Sequence, residues 1–257
     1  GKKVIYDVHE DVPLDILNKS WIPILIRKLL SKFINFIEKF ASKFFFQVVA
    51  ATPHIAAKFL EVNPQTINVN NYPLSKDIPE VINETSEVEV SEICYIGGIT
   101  QMRGIEEIIL ALDQTEEDVI LNLAGNFLDK DYELKLRKHG SWKKVNFYGY
   151  VDREDIRKIL ARSSLGLVTL YPTNTYMESL PVKMFEYMAY GLPVIASDFP
   201  LWRTIIKNKD CGLLVNPKSP SEIAKAIDYC IRNRERNLKM GKNARKAVLE
   251  EYNWLSE

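Results

Sequence analysis

Residues 178–198 read "ESLPVKMFEYMAYGLPVIASD". Pro181 suits the first position of a helix, because the N–H it lacks is one a helix leaves unpaired there anyway. Gly191 suits the left-handed residue that closes a helix, and Pro193 starts the next segment. The spacing predicts a helix of roughly ten residues, about 15 Å long by the helical rise. Val182, Phe185 and Ala189 form one apolar stripe on it, and Lys183, Glu186, Tyr187 and Tyr190 form another. Glu178 lies ahead of the helix, in the loop expected to cap it, with seven residues between it and Glu186. "PVIAS" then reads as a buried strand.

The same alternation extends in both directions. Upstream come "EICYIGG", a helix near 104–113, "VILNLAG", a helix near 130–138, "KVNFYGYV", a helix near 153–162 and "LGLVTLY". Downstream come "CGLLVN" and two helices near 220–234 and 236–251. Ser219, Pro220 and Glu222 predict a capping box at the first of these. Short apolar strands alternating with helices imply a parallel sheet covered on both faces, so the fold class is α/β and Rossmann-like. In such sheets ligands sit at the carboxyl ends of strands.

The first 75 residues carry a second, shorter run: "KVIYDV", a long helical pattern over 19–46, "FQVVAAT", "PHIAAKFL" and "QTINVNNYP". Residues 76–91 are polar and acidic without clear periodicity, and read as a linker. The expected organisation is an N-terminal domain at 1–75, a linker at 76–91 and a C-terminal domain at 92–257. The chain opens directly on a strand, as a fragment or processed chain would, and nothing resembles a signal peptide.

Lys plus Arg and Asp plus Glu both number 34, so net charge is zero. That argues against a nucleic-acid binder, which usually shows a basic excess. Cys94, Cys211 and Cys230 lack metal-ligand spacing, as do His9, His54 and His139, so neither a zinc site nor any other metal is expected. The cysteines read as reduced, buried thiols of a cytoplasmic protein. A dinucleotide oxidoreductase is disfavoured, because no GxGxxG with a downstream acid is found.

Three stretches carry candidate chemistry. At the amino end of the 181–190 helix, free backbone N–H groups near Leu180 to Lys183 make an anion seat, and Lys183 adds a positive charge. A diphosphate fits there. Glu186, one turn further, suits a vicinal diol such as ribose, and Glu178 suits a sugar hydroxyl or developing positive charge. The plain alternative is a dipole-favoured acid and a solvated lysine. In "GGITQMRG" (97–104), Gly97 and Gly98 let backbone approach a ligand closely, and Arg103 suits a phosphate; a tight turn with a surface arginine reads equally well. In "YDVHED", His9 follows a strand. "LAGN" (123–126) and "YGYV" (148–151) end strands in glycine turns.

Taken in order, these stretches resemble retaining family-4, group 1 glycosyltransferases. Their signature is Glu, seven residues, Glu, then A-x-G-x-P-V-I-A-S-D, as in 178–198. "YIGGITQMRG", "LAGN", "VNFYGYV" and "IRKILARSSLGLVTLYP" resemble further donor-domain blocks. "VHED", "ATPHIAAKF" and "NNYP" resemble the end of the acceptor domain. The resemblance implies a GT-B fold with a complete C-terminal donor domain and a partial N-terminal one. It implies transfer of a sugar from a nucleotide sugar to a glycan or lipid-linked acceptor with retention, and the lack of a carboxylate cluster for a metal predicts that this transfer is metal-independent. Glu186 would hold the ribose diol, Glu178 the donor sugar near its anomeric carbon, and His9 the transferred sugar. Arg103 and Lys183 would bind the diphosphate, with Gly97, Gly98, Asn126, Leu180 and Pro181 around it. The base would rest near Tyr150 and Val151. Many relatives carry arginine where Gly98 stands. A non-catalytic nucleotide-sugar-binding subunit is the alternative; an epimerase or phosphorylase is disfavoured by the block around Glu178 and Glu186.

The 19–46 pattern places Trp21, Leu25 or Ile26, Leu29, Phe33, Ile37, Phe40 and Phe44 on one stripe. Lys19, Arg27, Lys28, Lys32, Lys39 and Lys43 stand against a single acid, Glu38. So many charges exclude a membrane span. A basic, aromatic helix predicts either peripheral contact with an anionic membrane or a cover for the N-terminal sheet with its basic side solvated.

Overall fold

The computed structural model describes residues 2–19, 21–80 and 91–257. The chain forms two compact units. The first comprises residues 1–71, 173–180 and 257; the second comprises 72–172 and 181–256. Of the expected linker, residues 76 and 77 lie in a 3₁₀ turn over Ser75–Asp77, and 81–90 lie outside the described residues.

The first unit runs β1 (Ile5–Val8), α1 (Val12–Asn18), α2 (Ile24–Ser42), β2 (Gln47–Ala50), α3 (Pro53–Leu60) and β3 (Thr66–Asn68). Its three strands are parallel in the order β1-β2-β3, with Tyr6 opposite Val48 and Val48 opposite Thr66. Both short helices start on side-chain caps followed by proline. Asp11 accepts from the Leu14 N–H and Thr52 from the Ile55 N–H, each at 3.3 Å, the arrangement that satisfies a helix's first free donors. Val8, Val48, Ala50, Ile55, Ala56 and Phe59 form a small core.

The long helix departs from expectation. It spans 24–42 rather than 19–46, and α1 is a separate helix before it. Its buried residues are Ser31 and Ser42, while Leu25, Leu29, Phe33, Phe36, Phe40 and, beyond its end, Phe44 are exposed. The inward face is held by polar contacts. Ser31 Oγ donates to the Pro13 carbonyl at 2.8 Å. Lys58 Nζ bridges Glu38 at 3.0 Å and Asp11 at 3.1 Å. So α2 is turned the other way: of the two expected sides, the apolar stripe faces outward.

The second unit runs β4 (Ser91–Ile96), α4 (Ile105–Leu112), β5 (Val119–Ala124), α5 (Lys130–Arg137), β6 (Val145–Gly149), α6 (Arg153–Arg162) and β7 (Gly166–Val168). The chain then contributes α7 (Asn174–Met177) to the first unit and returns as α8 (Val182–Ala189), β8 (Val194–Ser197), α9 (Pro200–Lys209), β9 (Gly212–Val215), α10 (Pro220–Arg232) and α11 (Arg234–Glu250). All six strands are parallel, in the order β6-β5-β4-β7-β8-β9. That is the doubly wound order, which reverses between β4 and β7 and opens a crevice at their carboxyl ends. Ile93, Tyr95, Leu121, Leu123 and Leu167 of the strands pack against Ile105, Ile108 and Ile109 of α4 and Ile223 and Ile227 of α10. The sequence pattern did not predict α1, α7 or α9.

The helix of the opening stretch is α8. Pro181 is its N-cap rather than its first helical residue, and Gly191 closes it at φ +69° as expected. Glu178 does not cap it; it ends α7, and no side-chain cap bond is made to α8. Val182 is exposed and Tyr187 fully buried, the reverse of their expected stripes. At α10, half of the capping box forms: Ser219 Oγ accepts from the Glu222 N–H at 3.3 Å, but Glu222 Oε2 reaches the Asn216 N–H at 2.9 Å.

Candidate active site

The carboxyl end of β4 carries the glycine pair. Gly97 has φ +129° and Gly125, ending the adjacent β5, has φ +143°. A Cβ on Gly125 would collide with the Gly97 carbonyl oxygen. The two turns therefore lie backbone on backbone, which only a residue without a side chain permits. Gly125 N–H donates to Gly149 O at 2.7 Å, and Ile99 N–H to Asn126 O at 2.9 Å. Asn126 is thus tied to the glycine loop through its backbone. Tyr150, just past β6, is 80% exposed, with Val151 half-buried beside it in sequence.

Two cations converge on this loop. Lys183 Nζ lies 2.7 Å, and Arg103 Nη1 3.4 Å, from the point where a Gly97 Cβ would sit; Arg103 Cζ lies 3.9 Å from the corresponding Gly98 point. Arg103 ends a 3₁₀ turn closed by Gly104 at φ +69°. Lys183 rises from the first turn of α8, donates to Tyr95 Oη at 2.9 Å and stands 4.0 Å from the centre of that ring. Burial first, and the Arg103 charge second, hold its amine well below the usual lysine range; Glu186 pulls the other way. Two positive groups around a glycine turn form a place suited to an anion.

Glu186, on α8, is half-buried. Burial raises its carboxyl above the ordinary value, as does the nearby charge of Asp77, while Arg153 and Lys183 lower it. Arg153 Nη1 pairs with Asp77 at 2.8 Å. Tyr187 Oη accepts from the Ile96 N–H at 2.8 Å and so ties α8 to the end of β4, one residue before Gly97. Sequence reasoning missed Tyr95, Asp77 and Arg153. Tyr95 reads as one more apolar residue of a buried strand, and Asp77 and Arg153 as ordinary surface charges.

Glu178, His9 and Leu180 belong to the first unit; Pro181 belongs to the second. Glu178 is half exposed, with His54 Nδ1 at 3.7 Å, and His54 Nε2 lies 3.6 Å from Asp11. His9 is exposed just after β1; its Nε2 meets Asp7 at 3.0 Å and its Nδ1 meets Asn71 Nδ2 at 3.4 Å. The structure thus brings Gly97, Gly98, Arg103, Lys183 and Asn126 together in the second unit, with Glu186 one turn along α8. Among the described residues no group of three or more His, Cys, Asp or Glu side chains is arranged to hold a metal ion, and no helix is long and apolar enough to cross a membrane.

In a doubly wound sheet, a cationic glycine turn at the switch point is the place where such folds take phosphate-bearing ligands. The family model for glycosyl transferases group 1 matches residues 77–247, and the chain belongs to that family. An uncharacterized glycosyltransferase of Methanocaldococcus jannaschii is 28% identical over 200 residues, covering 75% of this chain and 49% of its own length. The D-rhamnosyltransferase WbpZ of Pseudomonas aeruginosa is 24% identical over 243 residues, covering 90% of this chain and 59% of its own. The chain therefore spans about half to three fifths of these relatives. Among solved structures, Anabaena HepE in complex with UDP superposes with a TM-score of 0.72 at 17% identity, over 99% of this chain and 70% of that one. Sucrose-phosphate synthase of Thermosynechococcus elongatus superposes with a TM-score of 0.70 at 21% identity, over 97% and 64%. These likenesses identify the fold as GT-B.

Proposed function

We propose that this chain carries the donor-binding part of a retaining glycosyltransferase that moves a sugar from a nucleotide sugar to a glycan or lipid-linked acceptor. The observation that carries this reading is the convergence of Lys183 and Arg103 on Gly97–Gly98, with Glu186 one turn away on the same helix as Lys183. In this reading the two cations and the loop backbone bind the diphosphate, and Glu186 accepts hydrogen bonds from the ribose diol. The base lies toward Tyr150 and Val151, with Leu180 and Pro181 lining the sugar side. Glu178 and His9 act on the transferred sugar.

The chemistry asks for a stabilised leaving diphosphate. The bond from the anomeric carbon to the phosphate oxygen breaks while an acceptor hydroxyl attacks the same face, and the departing oxygen takes the hydroxyl proton. Fixed positive groups aimed at the developing phosphate charge lower the barrier without reorganising. Lys183 and Arg103 supply that charge, so transfer proceeds without metal.

Thermal-shift screening against UDP, GDP, ADP and their sugars tests the reading, because a ligand that binds only the native state raises the melting point. One base family is expected to stabilise the protein, and Lys183→Ala to abolish the shift. No stabilisation by any of them overturns it.

A membrane role attaches to the first unit. Exposed Lys28, Lys32 and Lys43 flank the outward apolar row of α2, a combination suited to an anionic lipid surface. Flotation with anionic vesicles is expected to carry the protein in low salt and release it in high salt. Absence of salt-sensitive flotation removes the membrane role.

A further inference from the structure

The buried end of the anion seat is a tyrosine. Tyr95 is fully buried on β4, two residues before Gly97. Its hydroxyl donates to the Gly98 carbonyl at 2.9 Å and accepts from Lys183 Nζ at 2.9 Å. Its ring lies beneath the same ammonium, 4.0 Å from centroid to nitrogen. One side chain therefore fixes both parts of the seat, the glycine loop through its carbonyl and the lysine through hydroxyl and ring. A lysine has four rotatable bonds, and an ammonium near a cationic neighbour, Arg103, is pushed toward open solvent. Two directed contacts from Tyr95 oppose that push.

We propose that Tyr95 is a positioning residue that locks Lys183 against the Gly97–Gly98 loop before any ligand arrives, so that a diphosphate meets a preformed cation. The proposal rests on the reading of Lys183 as a diphosphate ligand. Tyr95 acts on the seat through the loop and the lysine. An ammonium held by a rigid ring and a single acceptor costs less ordering on binding than one recruited from solvent. The ring face suits a cation, because its quadrupole is negative there. The depressed amine fits a group shielded from water and faced by Arg103, and its partial recovery through Glu186 keeps a counter-charge on the same helix.

The test reads Lys183 directly and then reads binding. In protein labelled with 13C,15N-lysine, Lys183 is assigned by the resonance missing in Lys183→Met. The side-chain signals of Lys183 are expected upfield of the other lysines, as protons above an aromatic ring are, and to move toward them in Tyr95→Leu. In Tyr95→Phe the ring effect is expected to persist while the amine titrates lower, because an acceptor of the charged form is gone. Pyrophosphate, which needs no choice of base, is then titrated into each protein. Tyr95→Phe is expected to weaken it about tenfold, the scale of a lost hydrogen bond to a charged group, and Lys183→Met to weaken it at least as much. Lys183 signals among the other lysines in the wild type overturn the proposal, whatever the variants do. Unchanged pyrophosphate affinity in Tyr95→Phe, with Lys183→Met impaired, also overturns it and leaves the seat intact. Unchanged affinity in Lys183→Met removes the seat itself, and the proposal with it.

Discussion

A single atom decides whether the two glycine turns can lie on each other. At Gly125 a methyl group would meet both an unfavourable φ and the Gly97 carbonyl. Gly125→Ala is expected to cost about 3 kcal/mol, the sum of a strained backbone and a collision with main chain. Gly140 has open space around it and no positive φ, so Gly140→Ala is expected within about 0.5 kcal/mol of wild type. Urea denaturation of the pair separates them. Lys183 sets a second expectation. Its folded amine titrates well below the 10.5 of a free lysine. Between those two points the unfolded chain holds the extra proton, so the Lys183 contribution to stability rises with pH through that window. Below it the buried ammonium exacts a constant cost. Lys183→Met is therefore expected to stabilise the ligand-free protein below that window by about 1 kcal/mol, and to lose the gain within it. Wild-type minus variant melting temperatures across pH 7 to 10 measure both, and a difference that does not shrink with rising pH contradicts the assignment. The cations were legible in the sequence because Lys183 stands at the start of a helix announced by Pro181, and Arg103 follows a glycine turn after a strand. Tyr95 was not, since nothing in "EICYIGG" separates a lysine-holding tyrosine from any other buried aromatic.

Elements show where pattern reading succeeds and where it inverts. Most strands of the second unit are short, largely apolar runs, as strands of a sheet covered on both faces are. Their helices start where Ser219, Asp152 and Asp129 supply caps. Ser219→Ala is expected to lose about 1 kcal/mol, the usual worth of an N-cap oxygen, even though Glu222 turns to Asn216 rather than completing the box. Chemical denaturation reads that loss. Helix α2 defeats the same logic. A 3.6-residue stripe of phenylalanines predicts a face, and the inference that this face is buried is a separate step. Here the inward side is built instead from Ser31, Ser42 and the Glu38–Lys58–Asp11 chain. Tyr6 also donates to Glu38 at 3.3 Å, and burial and that carboxylate push its phenol up to about 12. Because Glu38 answers two partners, Glu38→Ala leaves a nearly buried lysine with one of its two carboxylates, with an expected cost of about 2 kcal/mol. Phe36→Ser, on the exposed row, is expected to leave the melting point nearly unchanged. If the two variants behaved alike, the orientation of α2 described above would be wrong. Helix α9 escaped prediction for a simpler reason: "PLWRTIIKNK" follows a strand directly, and its buried Trp202, Ile205 and Ile206 are too few to display a period.

At the scale of the whole molecule the charges cancel, so a phosphate ligand gains nothing from the overall field and everything from local placement. The molecule also carries its own reporter of which unit opens. All three cysteines, Cys94, Cys211 and Cys230, fall in the second unit, and all are buried. Burial pushes each thiol up to about 12, so none offers a thiolate at neutral pH. An aromatic disulfide reagent is therefore expected to label no cysteine quickly in the native protein and all three in denaturant. Slow native labelling then measures openings of the second unit alone, because the first contributes no thiol. Cys94 lies in β4, at the centre of the six-stranded sheet, while Cys230 lies on α10 and Cys211 leads into β9. If the sheet opens as one body, the three thiols react at one rate; if β9 and α10 fray first, Cys94 lags behind the other two. A nucleoside diphosphate seated on Gly97, Arg103 and Lys183 binds only the closed sheet, so it is expected to slow Cys94 most. Equal slowing of all three places the stabilisation in global unfolding, and no slowing at saturating UDP, GDP or ADP places the diphosphate somewhere other than the end of β4.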